Sequence, residues 1–186
     1  MPSIGRVSRP RIAIALLLAC TGVARAGAAP PDATSDVEVK AAFLYNFAKF
    51  AEWPALAARS PLFLCVVGDD RIAAALSAVT QGQTIESHAI EASRMPASGG
   101  KPCHLLFVSQ SSVRDASPLL DVSKGQPILT VSDAERFASS GGMIELYMEK
   151  GRMRFAINVD AIQRSTLHVS SRLLSLAKIV RDDRER

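Results

Sequence analysis

Val39-Lys40-Ala41-Ala42-Phe43-Leu44-Tyr45-Asn46-Phe47-Ala48-Lys49-Phe50-Ala51-Glu52-Trp53-Pro54 gathers three of the seven Phe residues, the single Trp and one of the two Tyr residues of a 186-residue chain. Phe43, Phe47 and Phe50 recur at i, i+4 and i+7, and Leu44, Ala48 and Ala51 widen the stripe, which is the pattern of an amphipathic helix. Ser35 or Asp36 is placed to cap its start, and Glu38 suits a helix N-terminus. Pro54 is expected to end it, because proline disfavours a helical Trp53 and cannot continue the hydrogen-bond ladder. A stripe this apolar has to be buried. The expectation is a helix packed on a sheet of its own domain, with a docking surface as the alternative for part of the aromatic face.

The chain after this helix supplies that sheet. Leu62-Phe63-Leu64-Cys65-Val66-Val67 and Cys103-His104-Leu105-Leu106-Phe107-Val108 are continuous apolar runs, the signature of strands covered on both faces. Ile128-Leu129-Thr130-Val131 reads as a third, shorter strand, and 84–90 as a weaker one. Helical spacing follows at 72–79, with Asp70 as N-cap, and at 113–120, where Gly125-Gln126-Pro127 breaks it. Asp133 is expected to cap a brief helix through Phe137. Strands alternating with helices imply an α/β layered sandwich with a mostly parallel central sheet and flanking helices.

The pattern changes toward the C-terminus. Residues 143–149 and 152–157 alternate and flank Lys150-Gly151, a two-residue hairpin signal. Ile144, Leu146 and Met148 face one way with Met153, Phe155 and Ile157. Glu145, Tyr147, Glu149, Arg152 and Arg154 face the other. That register sets Glu149 opposite Arg152 as a charge pair and Tyr147 opposite Arg154 as a cation–aromatic pair. A short helix or turn is expected at 158–164. Ser170 or Ser171 should cap a last helix that buries Leu173, Leu174, Leu176, Ala177 and Val180, before a charged tail.

The N-terminus reads as a secretory leader. Arg6, Arg9 and Arg11 precede a short apolar run at 12–19, and Ala24-Arg25-Ala26 offers a cleavage site. The run is too short to span a bilayer, for which about 20 residues are needed. Leu17-Leu18-Ala19-Cys20 is a competing lipoprotein-type site that would anchor the chain through Cys20. The reading divides the chain into a signal peptide at 1–26, a flexible lead-in at 27–36, one α/β domain at 37–181 and a charged tail at 182–186. The formal charge of +4 rests on the four leader arginines, so cleavage leaves 18 bases against 18 acids. With no basic block remaining, nucleic acid is not an expected partner. Cleavage also leaves two cysteines, Cys65 and Cys103. An even pair in an oxidising compartment reads as a disulfide, the alternative being two free buried thiols.

No constellation of catalytic residues stands out. Gly68-Asp69-Asp70 follows the first strand, where carboxylates can hold Mg²⁺, but no Lys follows a later strand to complete a phosphoacceptor site. A helix cap is the simpler role. His88, His104 and His168 are scattered singly without metal-ligand spacing. Nucleotide-loop, nucleophile-elbow and C-x-x-C motifs are absent. No enzyme activity, metal or cofactor is expected.

The ordered series of segments resembles the YfiR-like family of small bacterial periplasmic proteins. The resemblance is carried by residues 39–50 with Glu52-Trp53-Pro54, then Leu64-Cys65-Val66-Val67-Gly68 and Cys103-His104-Leu105-Leu106-Phe107-Val108. It continues through Ile128-Leu129-Thr130-Val131-Ser132-Asp133, Gly141-Gly142-Met143-Ile144 and Arg154-Phe155-Ala156-Ile157-Asn158, and ends with Ser170-Ser171-Arg172-Leu173-Leu174-Ser175-Leu176-Ala177. It implies a non-catalytic periplasmic α/β sandwich. The best-known member restrains an inner-membrane diguanylate cyclase through that enzyme's periplasmic part, and an outer-membrane, peptidoglycan-associated lipoprotein relieves it. By resemblance, Cys65 and Cys103 match one family disulfide. A second family cysteine pair has no counterpart here, where Gly141, Gly142 and Glu145 stand, so redox control through it does not carry over.

The resulting expectation is a periplasmic regulator acting by binding. Its candidate contact residues are Glu145, Tyr147, Glu149, Arg152 and Arg154, and a second copy of the chain is a further candidate partner. The alternative is a periplasmic small-ligand sensor feeding a membrane receptor or transporter, with its ligand at the carboxyl ends of the strands near Gly68, Asp69 and Ser109.

Overall fold

Six consecutive apolar residues, Leu62–Val67, form a strand whose central residues Leu64, Cys65 and Val66 have no solvent exposure. Such a strand needs cover on both faces, and the rest of the fold supplies it. The computed structural model describes residues 32–54 and 56–183. The residues read as a leader, with the expected cleavage site and Cys20, the first part of the expected lead-in and the last three residues of the expected tail lie outside the described residues.

In chain order the elements are α1 (Asp32–Lys49), β1 (Ala51–Glu52), β2 (Leu62–Val67), α2 (Asp70–Thr80), β3 (Thr84–Ile85), β4 (His88–Arg94), β5 (Leu105–Val108), a 3-10 turn at Gln110–Ser112 and α3 (Ser117–Ser123). They continue with β6 (Leu129–Ser132), β7 (Ile144–Glu149), β8 (Arg152–Asn158), α4 (Val159–Gln163), β9 (His168–Val169), α5 (Ser171–Leu176) and β10 (Lys178–Val180). Eight strands make one sheet in the order β10-β8-β7-β6-β5-β2-β4-β3. Its middle is parallel from β4 to β7, while β3 and β8 run antiparallel to their neighbours. The expected α/β sandwich with a mostly parallel sheet and a C-terminal hairpin is the observed one.

Two cores lie on opposite faces. On one, Leu62, Leu64 and Val66 of β2 join Leu105, Phe107, Leu129, Val131, Ile144, Leu146 and Phe155 under α1 and α2. Helix α1 contributes Ala41, Leu44, Phe47 and Ala48, with Phe43 and Phe50 half-buried beside them. Phe43, Phe47 and Phe155 form an aromatic triad with centroids 5.1–5.9 Å apart. Burying Phe47 alone contributes roughly 1.5–3 kcal/mol. On the other face, Cys65, Val67, Leu106 and Val108 pack with Met95 and Ala116, and Cys65 is joined to Cys103 by a disulfide.

Several local expectations change. Helix α1 starts at Asp32, so Ser35 and Asp36 lie inside it instead of capping it. Nothing after Pro31 breaks the helix, and acidic residues suit its first turns. It ends at Lys49, well before Pro54, because the small ladder of β1 with β9 takes over the chain. Ala51 pairs with Val169, and the Ser170 amide donates to the Phe50 carbonyl. Asp69, not Asp70, caps α2 by accepting from the amides of Arg71 (2.9 Å) and Ile72 (3.2 Å). The weak strand at 84–90 is a hairpin, β3–β4, whose second strand runs on to Arg94 because it pairs in parallel with β2. The expected helix at 113–120 is a run of turns with α3 starting only at Ser117.

Asp133 caps no helix. Its carboxylate accepts from the Gln110 amide (2.7 Å) and pairs with Lys40 of α1, clamping the 3-10 turn and the helix at one end of the sheet. Ser170 does cap α5, but that helix stops at Leu176, which is exposed, and residues 178–180 leave it to pair with β8. The start of the charged tail is docked. Arg181 pairs with the buried Asp160 carboxylate (2.6 Å), Asp182 meets Asn158 and Arg164, and Asp183 pairs with Arg136 (2.6 Å). Opposed charges and buried hydrogen-bond partners hold this segment, where helical propensity alone would have carried it outward.

Removing the disulfide tests how the second core is held. The bridge spans a sequence separation of 38, and the chain-entropy model assigns such a loop about 4 kcal/mol. A Cys103→Ser variant, or full reduction, should lower the urea-unfolding free energy by about 2–5 kcal/mol. An unchanged midpoint would show that the bridge does not constrain the unfolded chain.

His104 predicts a pH dependence. Its Nδ1 accepts the Phe63 amide (2.9 Å), and its ring stacks on Phe63 and meets the edge of Trp53, so the fold uses the neutral imidazole. Burial, with a smaller contribution from His88, holds its pKa below the usual 6.5. As pH falls, the unfolded chain protonates first, so the stabilisation is full above pH 6.5 and is lost as pH drops through the folded value. Chemical denaturation from about pH 7.5 to about 5 should show this loss. His104→Asn should flatten the slope, and an unaltered slope would assign it to other groups.

Candidate functional site

The C-terminal hairpin follows from its period. Strands β7 and β8 alternate, and Lys150 (φ 50°) and Gly151 (φ 72°) both adopt the positive φ of the tight turn that matches strand twist. The register is the expected one, with Glu149 opposite Arg152, Tyr147 opposite Arg154 and Glu145 opposite Ala156. Ile144, Leu146, Phe155 and Ile157 are buried against α1 and the sheet core. The five candidate residues therefore share the opposite face, where Glu149, Arg152 and Arg154 are exposed while Glu145 and Tyr147 are half-buried.

Their partners differ from the expectation. Glu149 does not pair with Arg152. Its Oε2 lies 3.8 Å from Arg154 Nε, a diagonal contact open to solvent. At this exposure it contributes at most about 1 kcal/mol. The cation over Tyr147 is Lys178 from β10, 6.0 Å from the ring centre, in place of Arg154. Glu145 turns inward, its Oε2 accepting from the Ala138 amide at 3.1 Å. It therefore anchors the 134–142 segment.

Two cations at this face escaped sequence reasoning. Lys178 arrives because β10 adds to β8, and Arg136 because the 134–142 segment folds over β7. Together with Glu145, Tyr147 and Ala156 they border a groove of about 750 Å³. The β-branched pair Ile179-Val180 was the available signal for β10. No signal in sequence spacing indicated Arg136. One wall of the groove rests on Asn158, which is fully buried. Its Oδ1 accepts from the amides of Asp160 and Ala161 (both 3.0 Å), and its Nδ2 donates to the Ala138 carbonyl and to Asp182.

The ends of the parallel strands are organised differently. Gly68 (φ 88°) sits so close to the 3-10 turn that an added Cβ would lie 2.3 Å from Ser109 Oγ and 2.1 Å from Ser112 Oγ. The two hydroxyls fill the space above the strand end, and the Asp69 carboxylate is engaged as a helix cap. The structure brings Gly68, Asp69 and Ser109 together at this strand end. The histidines are apart. His88 Nδ1 bonds the Ser60 carbonyl (2.7 Å), His104 serves the sheet, and His168 lies exposed 3.8 Å from Glu52. Among the described residues, no group of three or more His, Cys, Asp or Glu side chains is placed to hold a metal ion, and no helix is long and apolar enough to cross a membrane.

The outer face of the hairpin is thus a mixed-charge, partly aromatic surface. A comparison with protein-family models matches residues 37–178, from the second turn of α1 to the start of β10, with the model described as YfiR/HmsC-like. That span includes both cysteines of the disulfide, the whole hairpin and every sheet strand up to β10. The chain belongs to the YfiR/HmsC-like family.

Proposed function

We propose that this protein is a non-catalytic periplasmic regulator that binds the periplasmic part of an inner-membrane diguanylate cyclase and restrains it, tuning cyclic-di-GMP signalling and with it biofilm and motility. Family membership over residues 37–178 carries the reading. The disulfide supports an oxidising compartment, as does the leader at 1–26, which the reading takes as a signal peptide. The contact surface is the hairpin face with Tyr147, Glu149, Arg152 and Arg154, held by Glu145. Relief comes through a competing partner, an outer-membrane, peptidoglycan-associated lipoprotein.

A regulator of this kind works by population shift, binding an inactive cyclase conformation better than the active one. A tenfold drop in output needs at least about a tenfold preference, or about 1.4 kcal/mol, when the active state is the minor one. Two or three charged contacts on an exposed hairpin supply free energy of that order.

Deleting the gene should raise cellular cyclic-di-GMP, and complementation should restore it. An Arg152→Glu/Arg154→Glu double variant, folded by circular dichroism, should fail to complement and fail to co-purify the membrane cyclase. Unchanged cyclic-di-GMP on deletion, with no cyclase co-purifying, would sink the reading.

A further inference from the structure

Strand β8 has an edge that its neighbour covers only in part. Strand β10 pairs with Ala156–Asn158 and stops there. The two-residue turn makes Glu149 and Arg152 a hydrogen-bonded pair, so every second residue of β8 turns its backbone toward β7. The Asn158 amide, which donates to the Met143 carbonyl at 2.9 Å, confirms that phase. Met153 and Phe155 then point their backbone groups outward. Among the described residues, no backbone bond outside the strand ladders reaches either of them, and the parallel pairing of Lys178 with Ala156 engages the Phe155 carbonyl but leaves its amide open. Met153 presents both an amide and a carbonyl at an open edge.

The side chains beside this edge have a definite chemistry. On one face stand Arg152 and Arg154, with Lys150 in the turn and Lys178 at the start of β10, all exposed. Glu149 lies 3.8 Å from Arg154, and Glu145 is held by the Ala138 amide. Among the described residues no carboxylate lies within ion-pair distance of Lys150, Arg152 or Lys178. On the other face stand Met153, half-buried, and its cross-strand neighbour Met148, 54% exposed. A strand laid against this edge would alternate its side chains between a basic face and a thioether-rich apolar one.

We propose that the free edge of β8 at Met153 and Phe155 receives an extended segment of the partner, one that alternates carboxylates with apolar residues and adds to the sheet as a further strand. Main-chain hydrogen bonds to Met153 hold it, Arg152, Arg154 and Lys178 face its carboxylates, and Met148 and Met153 face its apolar residues. The proposal rests on the hairpin reading above and names the chemistry of what docks there.

Amide hydrogen exchange on the full chain tests it, with a capped peptide of about ten alternating Glu and Val residues as probe. This peptide should slow exchange at Met153 and Phe155 by about tenfold. A peptide alternating Lys and Val should not. Met153→Pro removes the outward amide without touching the β7 ladder. It should abolish the protection at Phe155 while Arg152 and Arg154, bonded to β7, stay protected. Absence of protection, or equal protection by both peptides, overturns the proposal. In cells, Met153→Pro should release cyclic-di-GMP as the Arg152→Glu/Arg154→Glu variant does. If the arginine variant releases it and Met153→Pro does not, partner binding through the hairpin stands and strand addition falls. If neither releases it although peptide protection is seen, the edge binds strands and the hairpin reading of cyclase restraint falls.

Discussion

The packing of Phe43 and Phe47 onto Phe155 decides more of this structure than any other contact. It joins the first described helix to a strand more than a hundred residues later, and that strand is the one whose far side carries Arg152 and Arg154. The triad closes one face of β8 with apolar surface, so the alternation of the strand must send its charged residues to the opposite face. The cost of exposing those rings, several kcal/mol together, is what keeps the basic surface outward and the hairpin flat on the sheet.

The second core depends on a different kind of tie. Cys65 lies in β2 and Cys103 in the loop just before β5, and Met95, the residue after β4, packs against them. The next residue, His104, completes the edge of the same region by accepting from Phe63. A covalent bridge and a neutral imidazole thus tie β2 to the start of β5 in the middle of the sheet, whereas aromatic burial holds β8 to α1.

Much of this was legible in the sequence wherever the signal is local. The hairpin register could be read because the period of two continues through Lys150-Gly151, and a one-residue slip would expose Leu146 and Phe155. The buried face of α1 could be read from the spacing of Phe43, Leu44, Phe47 and Ala48. Where short segments are defined by what they meet, the sequence was silent. Ala51–Glu52 is too short to show a strand pattern, and only pairing with His168–Val169 makes it one. The run Leu173–Val180 keeps helical spacing, yet its second half joins β8 because an open sheet edge stands beside it. Asp133 looks like a cap until Lys40 and the Gln110 amide, distant in sequence, reach it. Cations brought to the site by such pairings, Lys178 and Arg136, were invisible for the same reason.

The alternation of β8 has a consequence for how such a surface can diverge. Met153, Phe155 and Ile157 belong to the fold, while Arg152 and Arg154 belong to the solvent, and the two sets interleave along one strand. Charge on the outer positions can be exchanged or reversed with little strain on the aromatic triad beneath. Two codons are therefore enough to rewrite the charge of this face, while the scaffold beneath it keeps every apolar contact.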